Sequence, residues 1–163
     1  MDKLSFPVAV VVERTRLDNP WQSVRWRPVG LLPDDGVQTE SRVLVEHEGL
    51  MQRLHPGFVL ETFRDEAEGY FLNVDSPEPA VWVTLRTNED ASDAWPHLLT
   101  LSYNEAARWM DAQENVERLT MPLEIFEALR AWVAVHYQPP QKKNRIRPRS
   151  FESKEGRYKS DMG

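Results

Sequence analysis

The chain has 163 residues, 40% hydrophobic and 28% charged, with 12 Pro, 7 Gly, no Cys and a net charge of −6. That is the size and composition of one domain able to bury a core. Without cysteine there is no disulfide scaffold, no Cys-ligated zinc or iron–sulfur site, no thiol catalysis and no sulfur relay through a persulfide.

The first apolar run, Phe6–Val12 (FPVAVVV), is β-branched and nearly continuous, as in a strand buried on both faces or at a barrel wall. In Val24–Leu32, Val24 and Trp26 share one parity while Val29 and Leu31 take the other. A bulge at Pro28 would restore the register and bend the strand. Arg42–His47 alternates through Val43 and Val45, and Phe58–Phe63 follows a His55-Pro56-Gly57 turn. Tyr70–Val74, Ala80–Leu85 and Leu98–Leu101 complete seven short strands. Asp75–Pro79 reads as a hairpin loop, and Asn88–Ala94 as a mobile polar one.

Helices follow. Ser102 and Glu105 fit a reciprocal capping box at the start of a short helix that runs towards Gln113. Val116–Thr120 is a candidate extra strand. Pro122 opens a last helix over Leu123–Gln138, whose stripe of Phe126, Leu129, Trp132, Val133 and His136 should dock on the sheet. The expected fold is α+β: a single antiparallel sheet of about seven strands, strongly curled or closed into a barrel. A short helix and a C-terminal amphipathic helix complete the element order of a pleckstrin-homology-like domain.

The expected domain spans residues 1–138. From Pro139 to Gly163, eight Lys/Arg stand against three acids, a charge of +5; the 12 bases and 23 acids before it leave the body at −11. With few apolar residues, 139–163 reads as a basic, disordered tail. No apolar run approaches the ~20 residues of a bilayer-spanning helix, and Met1-Asp2-Lys3-Leu4 does not begin a signal peptide. A cytoplasmic protein with no membrane contact is therefore expected.

The chemistry-bearing motifs are missing. The glycines form neither GxGxxG nor GxxxxGK[ST], and there is no GxSxG or HExxH. In Glu46-His47-Glu48, strand alternation sends the histidine away from both glutamates, so no metal is expected there. Glu61, Asp65, Glu66 and Glu68 read as the solvated end of a hairpin between two strands, and His136 as a packed helix residue. The reading is a non-enzyme with no cofactor.

Two segments read as binding surface. Between Trp21 and Pro28 lie Trp21, Arg25, Trp26 and Arg27, and Trp and Arg dominate interface hot spots. The alternative places Trp26 in the core, with the arginines answering neighbouring acids. In the tail, Lys142, Lys143, Arg145, Arg147 and Arg149 offer electrostatic contacts to an acidic protein; the acidic body argues against a nucleic-acid binder.

FPVAVVVERTRLDNPWQSVRWRPVGLLP, LSYNEAARWMD and MPLEIFEALRAWVAVHY together resemble an uncharacterised bacterial family encoded beside molybdenum- or tungsten-dependent formate dehydrogenases and their accessory factors. The resemblance covers Met1 to Gln138. It implies an accessory protein for assembly, cofactor loading or regulation of that enzyme, with formate dehydrogenase or one of its maturation factors as partner. The alternative is a module or enzyme that holds a pterin or nucleotide-like molecule in the curled sheet. A deep pocket lined by Trp82, Tyr70 and arginines would favour that alternative, and a filled interior with an exposed Trp21 would favour the first reading.

Overall fold

The computed structural model describes residues 3–140. Seven strands and three helices lie among them: β1 (Ser5–Arg16), β2 (Val24–Pro33), β3 (Arg42–His47), β4 (Leu50–Glu61), α1 (Ala67–Val74), β5 (Ala80–Thr87), β6 (Ala94–Thr100), α2 (Tyr103–Asp111), β7 (Val116–Thr120) and α3 (Leu123–His136). A 3₁₀ turn, Arg64–Glu66, leads into α1.

The strands form two antiparallel sheets, ordered β2-β1-β4-β3 and β6-β5-β7, so the single sheet expected from the sequence is divided. β2 lies beside β7 and β4 beside β6, yet no ladder joins either pair into a closed barrel. The strands facing across these gaps carry Pro28 and Pro33 in β2, Pro56 in β4 and Pro96 in β6. Proline donates nothing to a ladder and gathers at sheet edges for that reason.

The sheets curl through bulges. The expected irregularity in β2 is present, with Val29 the extra residue between the pairs Val11–Gly30 and Val12–Pro28. Leu44 is the extra residue of β3. The His55-Pro56-Gly57 turn is a bulge within a longer β4, opposite Ala9. Gly57 takes φ +93° there, a conformation that side chains disfavour, and its amide donates to Asp34 Oδ2 at 2.9 Å. The reversal before β4 is made at Gly49 instead, at φ +84°.

β1 is buried on both faces, as its composition suggested. Val10 and Val12 meet Val83, Leu85 and Leu119 between the sheets, while Ala9 and Val11 lie with Leu54 on the outer face. Beyond the sheet layer, α1 and α3 close the core through Tyr70, Ile125, Leu129 and Trp132. The Trp132 ring stands edge-on to Tyr70 at 5.5 Å and stacks on His136 at 4.4 Å. α2 covers the other face of β5 through Ala106 against Ala80 and Trp82.

Three local expectations change. Tyr70–Val74 is helix rather than strand, and Val116–Thr120 completes the seven. Asp75–Pro79 therefore joins a helix to a strand rather than two strands. α3 stops at His136, two residues early, because Tyr137 is already extended ahead of Pro139-Pro140. At α2 only half of the capping box forms: Ser102 Oγ accepts from the Glu105 amide at 3.1 Å, but the Ser102 amide donates to Thr100 Oγ1 at 3.0 Å instead of Glu105.

Candidate functional site

Trp21 sits on the β1–β2 connection, whose neck is closed by the Leu17 amide donating to the Ser23 carbonyl at 2.9 Å. The Asn19 side chain accepts from the Trp21 amide at 2.8 Å and fixes the turn. The indole is left 92% exposed. Arg25 follows on β2, exposed, and among the described residues it has no ion pair.

Trp26 and Arg27 separate from that pair. Trp26 faces inward onto the Val10, Val12 and Leu119 cluster. Its Nε1 donates to the Ala91 carbonyl at 3.0 Å, and the Arg14 guanidinium, directly across the ladder, lies 5.8 Å from its ring centre. Arg27 pairs across the ladder with Glu13 at 3.5 Å. Glu13 is 7% exposed and also accepts from Gln52 Nε2 at 2.9 Å. Gln52 is the chief reason its carboxyl is held below the usual range. Trp26 and Arg27 are thus engaged within the domain, whereas Trp21 and Arg25 stay exposed.

The bond to Ala91 ties the Asn88–Ala94 segment to β2. Arg53 holds it from β4 by an ion pair to Asp93 at 3.4 Å, and Asn88 closes it internally by accepting from the Asp93 amide at 3.0 Å. His55 points inward nearby, and its Nε2 is buried without a hydrogen-bond partner. Burial and then the Arg53 charge lower its pKa from 6.5. The unfolded chain therefore binds more protons in the window below pH 6.5, and that contribution to stability is complete above 6.5 and lost as pH falls through it. In urea titrations at a series of pH values, His55→Phe should flatten the dependence in that window; an unchanged slope would assign it to another group.

The other candidates are occupied individually. Glu46 and His47 pair with Met51 and Leu50 and so face opposite sides of the sheet. The acidic group lies between β4 and α1, not between two strands. Glu61 holds Lys3 at 3.2 Å, Glu68 accepts from Asn104 at 2.9 Å, and Glu66 accepts from both Ser102 Oγ and Arg108 at 2.6 Å. Tyr70 is 1% exposed, and its hydroxyl reaches the Phe63 amide and the Glu61 carbonyl; burial raises its pKa to about 12. Trp82 is on the other face of β5, against Tyr103, so the two rings line no common pocket. Lys142, Lys143, Arg145, Arg147 and Arg149 lie outside the described residues. No helix among the described residues is long and apolar enough to cross a membrane.

These features define a helix-capped domain of two antiparallel sheets, packed with side chains between them and bearing an exposed tryptophan–arginine corner. The chain belongs to the family described as protein of unknown function (DUF3305), which matches residues 7–147 and so runs past α3 into the basic segment. No curated protein and no solved structure matches it.

Proposed function

We propose that this protein is a non-catalytic binding protein whose contact surface is centred on Trp21 and Arg25. We further infer, from the family resemblance, that its partner is a formate dehydrogenase or one of that enzyme's maturation factors. The observation that carries the reading is Trp21, almost wholly exposed on a closed turn. An indole in water forgoes the favourable burial of a large apolar surface. With the Trp21 backbone already fixed by the Asn19 bond, less conformational freedom is lost when a partner covers the ring. Arg25, exposed and without an acidic partner among the described residues, supplies a forked donor on the strand that follows.

The test is a tagged full-length chain recovered from its host grown on formate and molybdate, read by mass spectrometry and followed by titration of the purified partner. Formate dehydrogenase or a maturation factor should be enriched. Trp21→Ala and Arg25→Ala should each weaken binding by about 2 kcal/mol, roughly 30-fold, as hot-spot residues do. Their unfolding curves should match the parent. A chain that carries a pterin or nucleotide and no protein would replace this reading with the small-molecule one.

A further inference from the structure

A second surface lies at the opposite end of β2 from the Trp21 turn, where the head of α3 meets the start of β1 and the end of β2. A pocket of about 250 Å³ opens there over Val8, Leu31 and Ile125, with Phe6 at its side. The two charged residues that line it, Asp34 and Glu124, are both acidic. Sites for cofactors and other small molecules usually measure ~300–1,000 Å³. This one is sized for a single side chain, and its acidic lining suits one with cations next to it in the chain.

Asp34 is built into position. Its Oδ1 accepts from the Gly36 amide and its Oδ2 from the Gly57 amide, each at 2.9 Å. These bonds keep it ionised below the usual carboxylate range. Each oxygen retains a lone pair for an incoming guanidinium.

We propose that this pocket receives Arg145-Ile146-Arg147 of the chain's own C-terminal segment, with Ile146 over Val8, Leu31 and Ile125 and the two arginines against Asp34 and Glu124. The order base–aliphatic–base complements an apolar pocket that two carboxylates also line. Reach permits it. Pro139, where the chain leaves α3, lines one groove together with Phe126 in the first turn of that helix. The helical rise from Phe126 to Tyr137 is ~16 Å, and the six residue-to-residue steps from Pro140 to Ile146 extend up to ~20 Å. The family match ends at Arg147, so it takes in this triplet but not the whole of Arg147-Pro148-Arg149 nor Arg157-Tyr158-Lys159, the other base–apolar–base sequences of the segment.

The chain has no cysteine, so an introduced pair reports on this contact alone. Leu123 neighbours Glu124, is 69% exposed and does not line the pocket. Full-length Leu123→Cys/Asn144→Cys should form an intramolecular disulfide under mild oxidation, visible as a mobility shift of the monomer. Adding Ile146→Asp should slow its formation about tenfold or more, the equivalent of 1.4 kcal/mol of lost docking. Raising the salt concentration should slow it as well. A rate indifferent to Ile146→Asp, or equal to that of a Trp21→Cys/Asn144→Cys control, overturns the proposal. Cross-links formed only between chains also overturn it and assign the pocket to a second copy.

Discussion

Asn73→Leu should lower stability by about 3 kcal/mol, since three backbone groups would each lose a buried partner at ~1 kcal/mol or more apiece. Asn73 is 1% exposed. Its Nδ2 donates to the carbonyls of Ala80 and Leu101 at 2.8 Å each, and its Oδ1 accepts from the Ala80 amide at 2.9 Å. One side chain on α1 therefore satisfies the start of β5 and the end of β6 at the same time. Leucine has the same branched shape and number of side-chain heavy atoms and is somewhat larger, so no cavity is left and the loss would come mainly from stranded polar groups. Urea unfolding should show a lower midpoint with an unchanged slope. A loss under 1 kcal/mol would mean that water enters and replaces the amide.

The same residue shows why α1 was read as a strand. The run Tyr70-Phe71-Leu72-Asn73-Val74 is rich in aromatic and apolar side chains, and so short a run does not separate strand from helix by periodicity. The buried positions of α1 are Ala67, Gly69, Tyr70 and Asn73, of which Ala67, Tyr70 and Asn73 recur every three residues as one helix face. Two of these three are small or polar, whereas Leu72 is exposed. A reading weighted by hydrophobicity therefore follows the wrong side chains. By contrast the β2 bulge was legible, because a change of parity across Pro28 is local. The division into two sheets was not, because it depends on whether β2 joins β7 and β4 joins β6 through a ladder, and these strands lie far apart in the chain.

The binding surface divides in the same way. Asn19-Pro20 marks a turn, and a turn leaves Trp21 outside whatever the rest of the chain does. Trp26 depends on Ala91, 65 residues further on, and Arg27 on the acid opposite it in β1. What the segment leaves open is the burial of Trp26, which is decided by the pairing of β2 with β1 and the docking of the Asn88–Ala94 segment.

Gly69→Ala should cost about 3 kcal/mol, against the gain of up to ~1 kcal/mol that replacing a helical glycine ordinarily brings. A Cβ at Gly69 would stand 2.0 Å from Ser102 Oγ, 3.0 Å from Ser102 Cβ and 3.2 Å from the Asn104 amide nitrogen. Ser102 is fully buried and cannot swing away without loss, since its hydroxyl caps α2 and donates to Glu66. Losing the cap costs ~1 kcal/mol, and losing a hydrogen bond to a charged group ~1.5–3 kcal/mol. The close approach of α1 to the head of α2 thus requires glycine on one side and accepts serine on the other. Removing the hydroxyl tests that account through a double-mutant cycle. Ser102→Ala alone should destabilise, yet Gly69→Ala/Ser102→Ala should be more stable than Gly69→Ala, because only the 3.0 Å contact to Ser102 Cβ and the 3.2 Å contact to the Asn104 nitrogen then remain, to be relieved by a shift of a few tenths of an ångström. Additive losses in the cycle would show that the cost of the alanine arises at the Asn104 backbone instead, with the hydroxyl a bystander.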